Sequence, residues 1–435
     1  MSILKIVKAE SRGGTQLLRT LEQRGRGILD PKILKQAGAI VDAVRRGGDK
    51  ALLRAARKFD GARAKTVDGL RLAPQRIDRR RLPAGFEHAL ERAISSVERY
   101  HEGQRHEGFR MAEAGIELVE HRRPLRRVGV YVPGGRATYP SSVVMTVVPA
   151  LLAGVEEIVV ATPVAGWDRS PALRHALERL GVKEVWGLGG AHAVAALAHG
   201  TESIRRVDKI VGPGNAWVTA AKHLVSADVG IDSLAGPSEV LIVTSGEVDP
   251  EWVAADLLAQ AEHDPQALAL LITDQAKVAR QVRRAVKRQL RGLATAATAR
   301  TSLAAHGAAV VVRDMATAHD WIERIAPEHL QLVGADAEAL ADRIRNAGAT
   351  FVGASTPEVF GDYLAGPSHV LPTAGTARFA SALGVEDFIR RSHVVRFHPT
   401  AASRCAAAAA ALADVEGLPA HAASARRRAK YGDAP

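Results

Sequence analysis

The sequence predicts an α/β fold of two Rossmann-like parallel-sheet domains, with a helical N-terminal segment and a small C-terminal helical tail. Three observations carry that expectation. Short apolar runs alternate with helical stretches from about residue 128 onward, the pattern of βαβ units. Three of the runs end in glycine-rich turns: Pro133-Gly134-Gly135, Gly187-Leu188-Gly189-Gly190 and Gly212-Pro213-Gly214-Asn215. No internal repeat of fixed period competes with this reading.

Taken in order, the first ~110 residues read as helices with basic faces over 31–46, 49–59 and 86–106. Residues 128–132 form a strand, followed by a helix from the Ser141 cap to Ala153. Strands at 157–162, 185–187 and 209–211 then alternate with helices at 171–180 and 192–199. A second block opens with a strand at 240–244 and a helix capped by Asp249 with Pro250 in its first turn. Further strands are expected at 268–273, 308–312 and 351–352, and a basic helical tail from about Val385. This gives an N-terminal arm (1–27), a domain of 28–127 plus 238–384, an inserted domain (128–237) and a tail (385–435).

Composition narrows the function classes. At 435 residues and 47% hydrophobic, the chain can bury a large core. No apolar run approaches the roughly 20 residues that span a bilayer, and the N-terminus lacks a signal-peptide pattern. A lone cysteine, Cys405, cannot form an internal disulfide and lies in an alanine-rich stretch, so a reducing cytoplasm and thiol-free chemistry are expected. The net charge of +12 concentrates at 76–81, 122–127 and 426–430, but only 4% of residues are aromatic. Stacking residues and nucleic-acid motifs are absent, which favours a solvated surface or a funnel for an anionic cofactor over nucleic acid.

The glycine turns are either tight turns or places where backbone N–H groups approach an anion; none matches G-x-G-x-x-G and no P-loop lysine follows. Three polar segments stand out. Gln260 and His263, three apart near a helix end with Asp256 one turn earlier, fit a metal-holding face or a surface cluster. Pro327-Glu328-His329 sets a carboxylate beside an imidazole at a turn, suited to proton transfer or merely exposed. Gly361-Asp362-Tyr363 and Gly366-Pro367-Ser368-His369 form a glycine-bracketed polar loop. Glu416-Gly417-Leu418-Pro419-Ala420-His421 places one more histidine after a helix-ending glycine.

Together these segments resemble the histidinol dehydrogenase family. The matching strings run in order from 127 to 421: RVGVYVPGGR, VDKIVGPGN, VGIDSLAGPSEV, QAEH, APEHL, GDYLAGPSHVLP, EGL and AH. The resemblance implies oxidation of L-histidinol to L-histidine through histidinal, with two NAD+ used in sequence. It implies one Zn2+ held by Gln260, His263, Asp362 and His421, a donor set that suits zinc. It implies substrate contacts at Ser238, His369 and Glu416 as well as at the zinc ligands and His329. It further implies cofactor contacts at Tyr131, His192 and Asn215, and Glu328 and His329 as the catalytic pair. A homodimer is implied in which His421 completes the partner's site.

Three departures accompany the resemblance: His192 where glutamine is usual, Ser368 for an asparagine, and Trp217 for Tyr or Phe. Rival readings are a paralogue acting on another amino alcohol, a zinc hydrolase and a basic nucleic-acid-binding protein. The presence of Glu328, His329, His369 and Glu416 weighs against the first, and the three glycine turns against the second.

Overall fold

The computed structural model describes residues 3–73, 79–134 and 139–429. Gly135 and Arg136 of the first glycine turn, residues 76–78 and Lys430 of the basic runs, and the last residues of the tail lie outside them. Two six-stranded sheets carry the fold, as the alternating apolar runs predict. The first is ordered Arg71–Leu72, Glu184–Gly187, Glu157–Thr162, Arg127–Tyr131, Lys209–Val211, Gly230–Ile231, parallel except at its Arg71–Leu72 edge. The second is ordered Lys5–Lys8, Ala308–Val311, Leu268–Thr273, Glu239–Thr244, His329–Val333, Ala349–Val352, and is parallel throughout. Central strands such as Glu239–Thr244 and Leu268–Thr273 are buried on both faces, which is why they read as unbroken apolar runs.

Packing of the upstream helices is set largely by the first sheet. Helix Pro31–Phe59 lays Ala37, Val41, Val44, Leu52 and Ala56 into the core beneath the first sheet, with Val194, Leu197 and Val225. Helix Phe86–Glu102 covers the other face through Leu90, Ile94 and Val97. These two helices therefore flank the first sheet, and Phe86–Glu102 also meets Val370 and Leu383 further along the chain. The 1–27 segment is more than an arm, because Lys5–Lys8 pairs with Ala308–Val311 as an edge strand of the second sheet. Helical periodicity shows that a face is apolar but not which sheet it meets. The two helices expected at 31–46 and 49–59 are present and meet at Gly48, whose φ of 47° and ψ of −136° break the regular turn between them.

A third, antiparallel sheet (Ile389–Phe397, Ile116–Pro124, Arg110–Glu113) was not expected. It ties the tail to the chain far upstream, and helices Pro399–Val415 and Pro419–Arg428 follow it. Among the described residues no helix is long and apolar enough to cross a membrane.

Candidate active site

Glu328 and His329 do not lie on an exposed turn. His329 opens a central strand of the second sheet, in register with Val240 on one side and Ala349 on the other. Both side chains are buried, at 5% and 6% exposure, and each has one polar atom paired with the Glu239 backbone. Glu239 donates its N–H to Glu328 Oε2 at 2.7 Å, and its carbonyl meets His329 Nδ1 at 2.9 Å. A carbonyl can only accept, so Nδ1 carries the proton and Nε2 is left as the basic nitrogen. Nε2 faces Asp362 Oδ1 at 3.9 Å. Burial holds the His329 imidazole below its ordinary pKa despite Asp362, and pushes Glu328 well above the carboxylate range, with the Glu239 carboxylate adding to the rise. A neutral imidazole and a carboxyl group of raised proton affinity are the states that proton transfer near neutrality requires.

Behind this pair lies a support that no local motif signals. Arg24 forks onto Glu239, Nε to Oε1 at 2.5 Å and Nη2 to Oε2 at 2.6 Å, and also donates to the carbonyls of Leu21 and Ile325. Glu239 Oε1 accepts from Ala374 N as well, so the residue that orients both Glu328 and His329 is itself fixed. Arg24 and Glu239 are 215 residues apart in sequence, and only the fold brings them together.

Short helix Glu358–Tyr363 brings Asp362 to the same place. His369 Nδ1 bonds the Asp362 carbonyl at 3.0 Å, and its Nε2 approaches Ser142 Oγ at 3.4 Å. Ser368 donates to the Met145 carbonyl at 3.1 Å and accepts from Val370 N, so serine is accommodated in this buried loop. Gln260, buried, lies in the last turn of helix Pro250–Ala261, and exposed His263 lies just past that helix, its N–H on the Gln260 carbonyl at 3.3 Å. Asp256, half-buried one turn earlier, accepts at Oδ2 from Gln331 Nε2 at 2.9 Å. Ser238, partly buried, precedes the Glu239 strand, and its carbonyl accepts from Leu268 N.

Gln260, His263 and Asp362 offer an amide, an imidazole and a carboxylate, oxygen and nitrogen donors of the kind zinc takes. Among the described residues, however, no three His, Cys, Asp or Glu side chains group to hold a metal. The expected fourth donor, His421, is exposed on the tail with Glu416, and helix Pro419–Arg428 packs on Pro399–Val415. Gln260, His263 and Asp362 are thus chemically suited to hold zinc.

The expected cofactor residues gather at the carboxyl edge of the first sheet. Chain order reverses there between Arg127–Tyr131 and Lys209–Val211, a switch point where open α/β sheets receive ligands. A cavity of about 590 Å3 opens at this edge, lined by Tyr131, His192 and Asn215 on one side and by His263 and Asp264 of the second sheet's domain. Asn215 also caps helix Ala216–Val225, accepting from Trp217 N and Val218 N, and Trp217 joins the cavity wall. The two sheets meet unequally across the cavity. The first offers its carboxyl edge, whereas Glu328 and His329 stand at the amino edge of the second.

Two of the glycine turns are already filled. Gly189 N donates to Asp60 Oδ2 at 3.1 Å and Gly190 N to Tyr131 OH at 3.1 Å. Burial raises the Tyr131 hydroxyl to about 12, which keeps it neutral. Gly212 N donates to Asp232 Oδ2 at 2.7 Å, and Asp232 pairs with buried Lys222 at 2.6 Å. Gly212 has φ of 108°, and a Cβ there would sit 2.2 Å from the Tyr131 carbonyl, so glycine is required for chain packing rather than for a phosphate. The protein's own carboxylates thus occupy the anion positions that these turns suggested.

A model of the histidinol dehydrogenase family matches residues 25–429. The chain belongs to that family. It is 48% identical over 398 residues to the histidinol dehydrogenase of Rhizobium meliloti (strain 1021), covering 91% of this chain and 92% of that one. With the enzyme of the same name from Pseudomonas syringae pv. syringae (strain B728a) it shares 45% over 404 residues, 92% and 90% of the two chains. The crystal structure of histidinol dehydrogenase from Elizabethkingia anophelis superposes with a TM-score of 0.88 at 30% identity, covering 99% of each chain. Family membership does not explain every buried group near the site. Glu358, 1% exposed, has an oxygen with no hydrogen-bond partner among the described residues and sits near Asp362, Glu328 and Asp256, so burial and these carboxylates raise it well above its ordinary pKa.

Proposed function

We propose that this protein is a zinc-dependent histidinol dehydrogenase, oxidising L-histidinol to L-histidine through histidinal with two NAD+ in the last steps of histidine biosynthesis, in the cytoplasm. The observation that carries this reading is the cavity that runs from Tyr131, His192 and Asn215 to His263, whose imidazole lies close enough to act electrostatically on the buried His329. A dinucleotide on one side and a small polar substrate on the other would share that space.

In the first oxidation His329 Nε2 takes the alcohol proton as hydride leaves the carbinol carbon. In the second, Glu328 takes a proton from the water that adds to the aldehyde, and His329 assists the second hydride departure. Two hydrides leave, one water oxygen stays, and no thiol takes part. Ser238, His369 and Glu416 serve as substrate contacts. Gln260, His263, Asp362 and His421 of the partner subunit would hold the zinc. When bound, zinc supplies a cationic anchor for the amine and ring nitrogen of the substrate, and NAD+ supplies the hydride acceptor. Retention of the aldehyde between steps keeps a reactive intermediate out of water.

Exposure of Glu416 and His421 supports a homodimer with exchanged tails, as do the exposed apolar side chains of Leu412, Val415 and Leu418 beside them. The decisive assay uses dialysed enzyme with histidinol, NAD+ and zinc add-back, counting NADH per histidine. A ratio of two is expected, and a ratio near one overturns the two-step scheme. Mixing the inactive variants H329A and H421A tests the exchange. Crossed dimers hold one site with both histidines intact, so activity returns only if His421 serves the other subunit.

A further inference from the structure

A glycine turn at a helix N-terminus takes an anion because its first N–H groups are free. At 187–190 they are not. Asp60, which ends helix Pro31–Phe59, reaches across 129 positions of sequence to accept from Gly189 N, and His192 Nε2 contacts the same oxygen at 2.7 Å. A carboxylate only accepts, so His192 donates from Nε2. Phe59 stacks on the His192 ring with centroids 6.0 Å apart, which holds the imidazole in that orientation. The other carboxylate oxygen, Oδ1, has no hydrogen bond among the described residues, and Asp60 lines the cavity with Phe59 and His192. A phosphate at this wall would find the N–H donors spent and a negative charge in place. A hydroxyl would find an acceptor.

We propose that Asp60 selects the cofactor: its free oxygen accepts from the ribose diol of the adenosine half, and its charge rejects a dinucleotide phosphorylated at the 2′ position. The inference rests on the dinucleotide reading of this cavity. Glu328, His329 and His263 lie on the second sheet's side, which assigns the nicotinamide there and the adenosine to the wall built by Asp60 and His192. Carboxylates that read a ribose 2′-hydroxyl ordinarily follow the second strand of a dinucleotide fold. Here the carboxylate comes from a preceding helix, and histidine in place of glutamine clamps it.

The test is calorimetric titration of the dimer with NAD+ and with NADP+, in the absence of histidinol, for wild type, Asp60→Asn and Asp60→Glu. Asn keeps an acceptor for Gly189 N and Glu keeps the charge, and circular dichroism verifies that each variant is folded. Wild type is expected to bind NAD+ the more tightly, and Asp60→Asn to narrow that preference by about tenfold or more, the scale of one removed like-charge contact. Asp60→Glu should retain the preference even where overall affinity drops. An unchanged ratio in folded Asp60→Asn overturns the assignment while leaving the dinucleotide reading intact. Failure of wild type to bind either dinucleotide overturns both.

Discussion

Replacing Glu328 by glutamine isolates the proposed base with little structural disturbance. The carboxylate Oε2 accepts the Glu239 N–H at 2.7 Å, and the amide oxygen of glutamine can accept the same bond. Both side chains have the same shape, so the loss in fold stability should stay within about 1 kcal/mol. What disappears is the ability to take a proton. A positioned general base contributes roughly 10²–10⁴ in rate, or about 3–5 kcal/mol of barrier. Burial and the nearby Glu239 carboxylate raise the proton affinity of Glu328, which places the loss toward the upper part of that range. Only the aldehyde-to-acid half needs water activated, so NADH formation from histidinal should slow by about 10³–10⁴ while the first NADH from histidinol still appears. Rapid-mixing traces with each substrate, followed by NADH absorbance, separate the halves. In wild type the second half should fall away as pH drops through the raised Glu328 pKa, because the base must be ionised, and the variant should lack that limb. A variant slowed equally on alcohol and aldehyde refutes the division of labour between Glu328 and His329.

Further expectations follow from other parts of the site. His329→Ala should abolish NAD+ reduction by histidinol with zinc retained, as measured by metal analysis beside the activity assay; near-normal turnover removes His329 from the mechanism. Lys222→Met strands Asp232 in the interior, where each partner is under 5% exposed, and should cost about 3–5 kcal/mol in denaturant unfolding. A loss under about 1 kcal/mol would mean that Gly212 and Ser233 N–H groups alone hold that carboxylate. Glu358→Gln should change the pH dependence of stability. Folded Glu358 keeps its proton well above the pH at which the unfolded chain releases it, so wild-type stability falls with rising pH between those two values. Glutamine removes that slope, and metal-free Glu358→Gln should gain on wild type by up to about 1.4 kcal/mol per pH unit above the ordinary glutamate pKa. A constant difference from pH 5 to 8, read from urea unfolding, would contradict a buried protonated Glu358.

Apolar periodicity in the sequence was enough to place most strands and helices, because a parallel strand buried on both faces must be a continuous apolar run. Leu268–Thr273, Glu157–Thr162 and Lys209–Val211 fall where that rule puts them. His329–Val333 escaped it because the strand opens on His329 directly after Pro327 and Glu328, a start that reads as a turn until Glu239 supplies its partners. Ile389–Phe397 escaped because its alternating basic residues resemble a charged helix, and only pairing with Ile116–Pro124 makes it a strand. The motifs likewise marked candidate residues without showing their states. Tertiary structure decided that Glu328 and His329 are buried, that Arg24 and Glu239 orient them, and that Asp60 and Asp232 fill glycine turns that looked open to phosphate. It also left Glu416 and His421 exposed on the tail. Local pattern reports which groups a segment carries. Burial, proton affinity and hydrogen-bond satisfaction depend on partners 80 to 300 residues away, such as Glu328 on Glu239 and Arg24 on Ile325, and only the folded chain sets them.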